Sequence, residues 1–248
     1  MLSEIKPESI LFLDIETVSQ CRKYDDLDPE IKIFWDKKAT NLSGNTEPDP
    51  AGIYGRAGIY AEFGKIICIG IGYLVSETNT YSARLKTIAG KDEAEILQRF
   101  CELLRAPYFR DRNIRFCAHN GKEFDYPYIA RRLMINGIEV PPALDLAGKK
   151  PWEVKHLDTL ELWKFGDYKS YTSLALLATV LGIPTPKDDI DGSMVGKVFW
   201  EDDDLVRIQK YCIKDVLTVM QVLLRFKGLP LLLPENIVVS DESGMSEP

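Results

Sequence analysis

Histidine is scarce in this chain: only His119 and His156 occur. Two imidazoles so far apart make no convincing zinc site, and His119, beside Asn120, suits a structural hydrogen bond better. Cysteine is sparse too. Cys21, Cys68, Cys101, Cys117 and Cys212 are odd in number and widely spaced, with no Cys-x-x-Cys pair. That usage argues against a disulfide framework and for buried thiols in a reducing compartment. No Gly-Lys-Ser/Thr triplet is present, which removes a phosphate-binding P-loop. The Gly-Ile-Gly at 70–72 lies inside an expected strand with no helix behind it, so it is no dinucleotide fingerprint. Positive charge is in deficit, and a net charge of −7 argues against a protein that coats nucleic acid non-specifically. It does not exclude acids gathered around bound cations. Long apolar runs are missing: "IICIGIGYLV" is about half of the ~20 residues that a membrane span needs. The opening "MLSEIKPES" lacks a basic stretch followed by an apolar one, so no signal peptide is read. A soluble, cytoplasmic protein is expected.

What is there is ordinary in bulk and specific in pattern. With 248 residues, 45% apolar and 28% charged, the chain suits one large domain. Residues 10–15, 65–75, 80–86 and 114–120 read as strands, the second and third forming a hairpin around Ser76–Asn79. Helices are expected over 90–106, from Asp125 to Gly137, over 170–184 and over 201–227, the third ending in Gly and Pro. A short strand leading into a loop is expected within 154–162. Together these predict an α/β domain with a mixed central sheet flanked by helices, over residues 1–228. Residues 19–64 form a long insertion between the first and second strands. Loops of that length are uncommon in compact domains and tend to be lids or binding elements. Trp35, Tyr54 and Tyr60 argue for order and short helices there. Residues 229–248 read as a frayed C-terminal tail.

The stretch "ILFLDIETVS" puts two acids at the end of a strand-like run. Alternation places Asp14 and Glu16 side by side on one face, where like charges repel and burial costs several kcal/mol. Three other acids stand out. Asp125 falls at a loop-to-helix junction, as either a capping acid or a functional one. Asp215 lies four residues after Tyr211, on one helical face beside the stripe Leu205, Ile208, Cys212, Val216, Val219, Leu223. Asp158, in "HLDTLEL", suits a cap or turn better than chemistry.

The ordered set of D-x-E on a first strand, N-G-x-x-F-D before a helix and Y-x-x-x-D in a late helix resembles the DnaQ-like, or DEDD, family. These are 3′–5′ exonucleases on the ribonuclease H-like fold. Position 210 is Lys and position 211 is Tyr, so the similarity is to the tyrosine branch. "EFGKIICIGIGY", "LALLATVLGIPTPKDDIDGSMV" and "YCIKDVLTVMQVLLRF" are similar to predicted exonucleases related to the proofreading domain of family B DNA polymerases. The similarity runs from about residue 10 to 227.

The resemblance implies a catalytic set of Asp14, Glu16, Asp125, Tyr211 and Asp215. The four acids would hold two divalent cations, Mg²⁺ or Mn²⁺, for which hard oxygen ligands are suited. It implies metal-dependent release of nucleoside 5′-monophosphates from a nucleic acid with a free 3′ end, single-stranded DNA being favoured and RNA possible. Thr17, Asn120 and Phe124 are candidate substrate contacts. Asn120 reads equally as a turn residue, and burial in the core is the stronger reading for Phe124. Arg131 and Arg132 read as phosphate contacts or as a solvated helix face, the latter preferred. Arg105, Arg110, Arg112 and Arg115 form a local cluster that reads as a backbone contact or as plain surface. Two alternatives stay open: an RNA-directed exonuclease, and a catalytically silent nucleic-acid-binding module. A polymerase or DNA repair protein acting in trans is a candidate partner. Nothing in the sequence fixes the oligomeric state.

Overall fold

A computed structural model describes residues 4–240, apart from 45, 78–79, 111–114, 168, 170 and 185–188, and apart from the side chains of Tyr108 and Arg110. The hairpin tip, Arg112, the end of the tail and part of the glycine- and proline-rich stretch after residue 184 lie outside it.

Strand β1 (Ile10–Ser19) runs four residues further than its apolar core predicts. A long helix, α1 (Pro29–Ser43), follows, capped by Asp28 and flanked by 3₁₀ turns at Tyr24–Asp26 and Tyr54–Ile59. Strands β2 (Gly64–Ser76) and β3 (Tyr81–Ala89) form the expected hairpin. Then come α2 (Glu93–Arg105), the short α3 (Pro107–Arg110), β4 (Arg115–Ala118) and α4 (Asp125–Ile135). Strand β5 is only Leu157–Asp158, and a helix, α5 (Thr159–Lys164), stands where a loop is expected. Helices α6 (Leu174–Val180) and α7 (Val195–Lys197) precede a π turn (Val198–Asp202) and the 22-residue α8 (Leu205–Phe226). Strand β6 (Ile237–Val239), from the stretch expected as a tail, pairs in parallel with β3.

The six strands lie in the order β5-β4-β1-β2-β3-β6. Alternation along β1 sorts its side chains. Leu11, Leu13 and Ile15 pack with Ile96, Leu97 and Phe100 of α2 and Ile129 and Leu133 of α4. Phe12 faces the other way, onto Val216, Val219, Met220 and Leu223 of α8. Each fully buried side chain of this kind contributes ~1.5–3 kcal/mol relative to exposure. The sheet is thus covered by α2 and α4 on one face and by α8 on the other, a mixed α/β layout consistent with a ribonuclease H-like exonuclease fold.

The Gly-Ile-Gly of β2 finds its reason here. Gly70 and Gly72 stand opposite Asp14 and Phe12 in the β1–β2 register, on the face that α8 covers. A Cβ on Gly70 would come within 2.7 Å of Cys212 Sγ, and one on Gly72 within 3.2 Å of Met220 Sδ. The missing side chains let α8 lie against the sheet. Gly70→Ala is therefore expected to cost about 1–3 kcal/mol by overpacking. Gly55→Ala, where an added Cβ meets nothing within 4 Å, is the control, and urea denaturation of the two variants checks the difference.

The insertion is built around its own small core. Trp35 and Tyr54 are buried with Leu27, Ala57 and Phe63, and Tyr24 and Tyr60 pack against them. The Trp35 ring lies edge-on to Tyr54 at 5.6 Å and to Phe63 at 5.3 Å, and its indole N–H donates to the Pro50 carbonyl at 2.9 Å. This unit seats on the end of β1: a Cβ on Gly58 would lie 2.9 Å from the Val18 backbone, and Tyr128 of α4 donates to the Gly58 carbonyl at 2.8 Å.

Arg132 is not on a solvated face and is out of reach of a phosphate. It is 5% exposed and forms an ion pair with the buried Glu93 of α2. Its Nε donates to Glu93 Oε1 at 2.8 Å and its Nη1 to the Ala61 carbonyl at 2.8 Å. Glu93 also accepts from the Ile66 N–H at 2.7 Å and from Asn136 Nδ2 at 3.0 Å. Arg131 is on the exposed side of α4, near Glu62. Of the arginine cluster, Arg105 lies 4.0 Å from Glu139, and Arg115 is half-buried at the start of β4.

Candidate active site

The site begins where the sheet opens. β1 pairs with β4 only from Ile10 to Phe12, so beyond Phe12 its edge on that side is uncovered. Strands β1, β4 and β5 are parallel to one another; β4 and β5 end together at Ala118 and Asp158 while β1 runs on, and crevices at such carboxyl ends are where open α/β sheets bind ligands. The Ile15 N–H, left without a strand partner there, donates to Asp125 Oδ1 at 3.2 Å. Asp125, 2% exposed at the start of α4, is drawn by that bond into the gap.

On the α8 face Asp14 and Glu16 stand side by side, as alternation predicts, and share a hydrogen bond. Asp14 is half-buried and Glu16 is 6% exposed. Neither has a lysine or arginine partner among the described residues. A bulge follows at once: Glu16 faces Cys68 and Thr17 faces Ile66, so β2 carries one extra residue at this point. From α8 come Tyr211 and Asp215, one turn apart and hydrogen-bonded to each other. The structure thus brings Asp14, Glu16, Asp125, Tyr211 and Asp215 together from one strand and two helices.

Cys212, which sequence reasoning read only as part of a core stripe, lies beneath them. Its thiol donates to the Asp14 carbonyl at 3.5 Å and to Asp14 Oδ2 at 3.6 Å, and ligand atoms of Asp14, Glu16 and Cys212 lie within 4.8 Å of one another. Burial and the nearby carboxylates push its pKa well up, so it remains a thiol. The signal was available in principle, since Cys212 sits between Tyr211 and Asp215 in the helical repeat.

Electrostatics show what the cluster costs. Burial, and then the charges of Glu16, Asp125 and Asp215, raise Asp14 well above the carboxylate range. Glu16 is raised by burial and by Asp215 and Asp125. Asp125 is pushed up to about 7, chiefly by burial. Tyr211 is raised by burial and by Asp215, Glu16 and Asp14, so its hydroxyl stays protonated. A carboxylate whose folded pKa exceeds its ordinary 3.8 binds its proton more tightly folded than unfolded. That contribution to stability is present at low pH and is lost as pH rises through the folded value, about 7 for Asp125. A divalent cation competes with those protons. Without metal, the melting temperature is expected to fall between about pH 5 and about pH 8, and the increment on adding Mg²⁺ to grow over the same range. Thermal melts in EDTA and in Mg²⁺ check this.

The candidate substrate contacts differ in availability. Thr17 is half-buried with its hydroxyl hydrogen-bonded to Tyr128. Phe124 is half-buried and packs on the core, its ring 5.3 Å from Tyr128. Asn120 is half-buried, with a left-handed backbone (φ 62°) that a non-glycine residue adopts rarely and mostly at turns or strained functional sites. His119 is spanned by bonds to Thr159 Oγ1 and the Thr172 carbonyl, both 2.9 Å, a structural role. Two clefts meet at Tyr211. One, of about 430 Å³, reaches Asp215, Ser173, Asp191 and Met194; the other, of about 400 Å³, is lined by Arg207, Lys210 and Lys214.

A mixed sheet with paired acids on its first strand, facing a late helix, is a layout of the ribonuclease H-like class. The chain belongs to the family described as predicted 3′–5′ exonucleases related to the exonuclease domain of PolB, whose model matches residues 59–236. That span takes in Asp125, Tyr211 and Asp215 and begins after β1, so Asp14 and Glu16 precede it. Such a family implies a nucleic-acid substrate and dependence on divalent metal. No curated protein matches the chain. Among the described residues no helix is long and apolar enough to cross a membrane.

Proposed function

We propose that this protein hydrolyses the terminal phosphodiester bond at the 3′ end of single-stranded DNA, releasing nucleoside 5′-monophosphates one at a time. The observation that supports it is the convergence of four acids and Tyr211 beside a cleft, in a chain of an exonuclease family. The donor set fits divalent cations. Gathered carboxylate oxygens that repel one another, those of Asp14 and Glu16 with no cationic side-chain partner among the described residues, suit hard ions such as Mg²⁺ or Mn²⁺. Asp14, Glu16, Asp125 and Asp215 would hold a pair of them. Such ions supply an acidified water and a counter-charge for the departing 3′-oxygen.

The chain's own groups do the rest. Tyr211 stays protonated, so it orients rather than deprotonates: its hydroxyl donates to Asp215 and its lone pairs accept from the attacking water. Water is the nucleophile, because the one thiol in the cluster is buried and protonated. Asn120 and the backbone of Thr17 contact the terminal nucleotide, and Phe124 borders it. DNA is favoured over RNA through the kinship with the polymerase exonuclease domain.

The test is a 5′-labelled DNA with a 3′ overhang and a matched single-stranded RNA, each incubated with Mg²⁺ or Mn²⁺. A metal-dependent ladder of shortened products is expected, running faster on DNA. A faster ladder on RNA would reassign the substrate. A metal-dependent gel shift with no cleavage of either would replace the enzyme by a binding module.

A further inference from the structure

Asp158 does more than its place in the sequence announces. It ends β5, is 3% exposed, and caps α5 by accepting from the Leu160 and Glu161 N–H groups at 2.9 and 3.3 Å through Oδ1. Asp28 and Asp92 cap α1 and α2 in the same way, each taking two N–H groups of its own helix. Asp158 alone of the three reaches across to another segment. Its Oδ1 also accepts from the Asn120 N–H at 2.9 Å, and its Oδ2 from the Lys122 N–H at 3.1 Å.

Those two donors open the loop that delivers Asp125. Asn120 holds its left-handed backbone there, and its carbonyl accepts from the Glu123 and Phe124 N–H groups at 3.2 and 3.0 Å. The Gly121 carbonyl then accepts from Tyr126 at 2.9 Å. Gly121 itself is pinned, since a Cβ there would lie 2.5 Å from Ala118 Cβ. A second tie runs beside the first, from Lys122 Nζ to Glu161 of α5. With four backbone N–H groups on one carboxylate, Asp158 has little capacity left to bind a cation itself.

We infer that Asp158 is a positioning residue for the proposed reaction, clamping the 120–124 loop so that Asp125 at its end is held against Ile15, beside Asp14 and Glu16. The inference rests on the exonuclease reading for its purpose, though not for its test. Asp158→Asn keeps one carbonyl acceptor. At the Oδ1 position it holds the cap and Asn120 and loses Lys122; at the Oδ2 position it holds Lys122 and loses Asn120 and the cap, so the clamp is broken at one tie either way. Asp158→Ser retains a short cap and no clamp, and serves if the Asn variant folds poorly. Asp92→Asn, which weakens a cap without touching the loop, is the control. Mn²⁺ binding to the full chain is followed by electron paramagnetic resonance of the free ion, beside single-turnover cleavage of a labelled single strand.

Residues that orient metal ligands typically lower affinity or rate about 10–100-fold when replaced. A loss of that size in Mn²⁺ affinity and in rate is expected for both Asp158 variants, with Asp92→Asn near wild type in both. In an Asp125→Asn background, altering Asp158 is expected to change Mn²⁺ affinity less than about twofold, because it acts through Asp125. Mn²⁺ affinity unchanged in both Asp158 variants would overturn the inference. So would a loss that persists in full on top of Asp125→Asn. Mn²⁺ binding that depends on Asp158, in a protein that cuts no nucleic acid, would instead sink the exonuclease reading and leave the clamp standing.

Discussion

Asp14→Asn is expected to lose at least about 10²–10³-fold in cleavage rate, the scale of removing a group aimed at developing charge, and yet to melt higher than wild type in EDTA. The two effects have one cause. Asp14 is raised by burial and by three neighbouring acids. Holding it there without a cation costs the fold either a trapped proton or unrelieved repulsion. Asparagine has the same volume and keeps an oxygen for the Cys212 thiol, but carries no charge into the cluster. It removes a carboxylate oxygen that would hold a cation and relieves Glu16, Asp125 and Asp215 together. Function and stability pull apart at sites held in tension, as they should here. The check is a melt in EDTA beside a single-turnover assay in Mg²⁺. A variant that melts lower and still cuts would refute the assignment of Asp14.

Arg132→Ala carries the largest expected stability loss, about 3–5 kcal/mol, because it strands a buried carboxylate. Glu93 would keep the Ile66 N–H and Asn136 and lose its ion-pair partner, leaving the charge of Lys65, which makes no ion pair with it among the described residues. The Ala61 carbonyl would lose its donor as well. For a chain of this size the loss corresponds to roughly 6–20 °C in melting temperature. Urea denaturation measures it directly. Because Ile66 flanks the bulge beside Thr17, activity should fall with stability rather than ahead of it, a contrast to Asp14→Asn.

What the sequence made legible were features written in local period. The β1 alternation put Asp14 and Glu16 on one face, and the i, i+4 spacing put Tyr211 above Asp215; both hold in the structure. Asp158 as a cap was legible for the same reason, since its first acceptances are from its own helix. Its reach to Asn120 and Lys122 was not, because partners almost forty residues apart leave no periodic trace. Arg132 shows the limit most clearly. Beside Arg131 it looks like half of an exposed basic pair, and only the arrival of Glu93 from α2 makes its burial tolerable. The glycines of β2 were visible as glycines, but their reason is the depth at which α8 lies. Strand β6 was missed because the prolines before it signal an end to structure, whereas a parallel edge on β3 lets the chain return.

The order in which the cluster's members leave the ribosome matters. Asp14 and Glu16 are made before Asp125, and Asp215 after both. The strand that bears the first pair is flanked by β2 and β4 long before α8 exists to cover its other face. A nascent chain therefore carries paired acids on an open sheet, without the helix that completes their set. On the function proposed above, cleavage would wait until α8 has emerged and docked, so the order of synthesis itself would keep the unfinished chain silent.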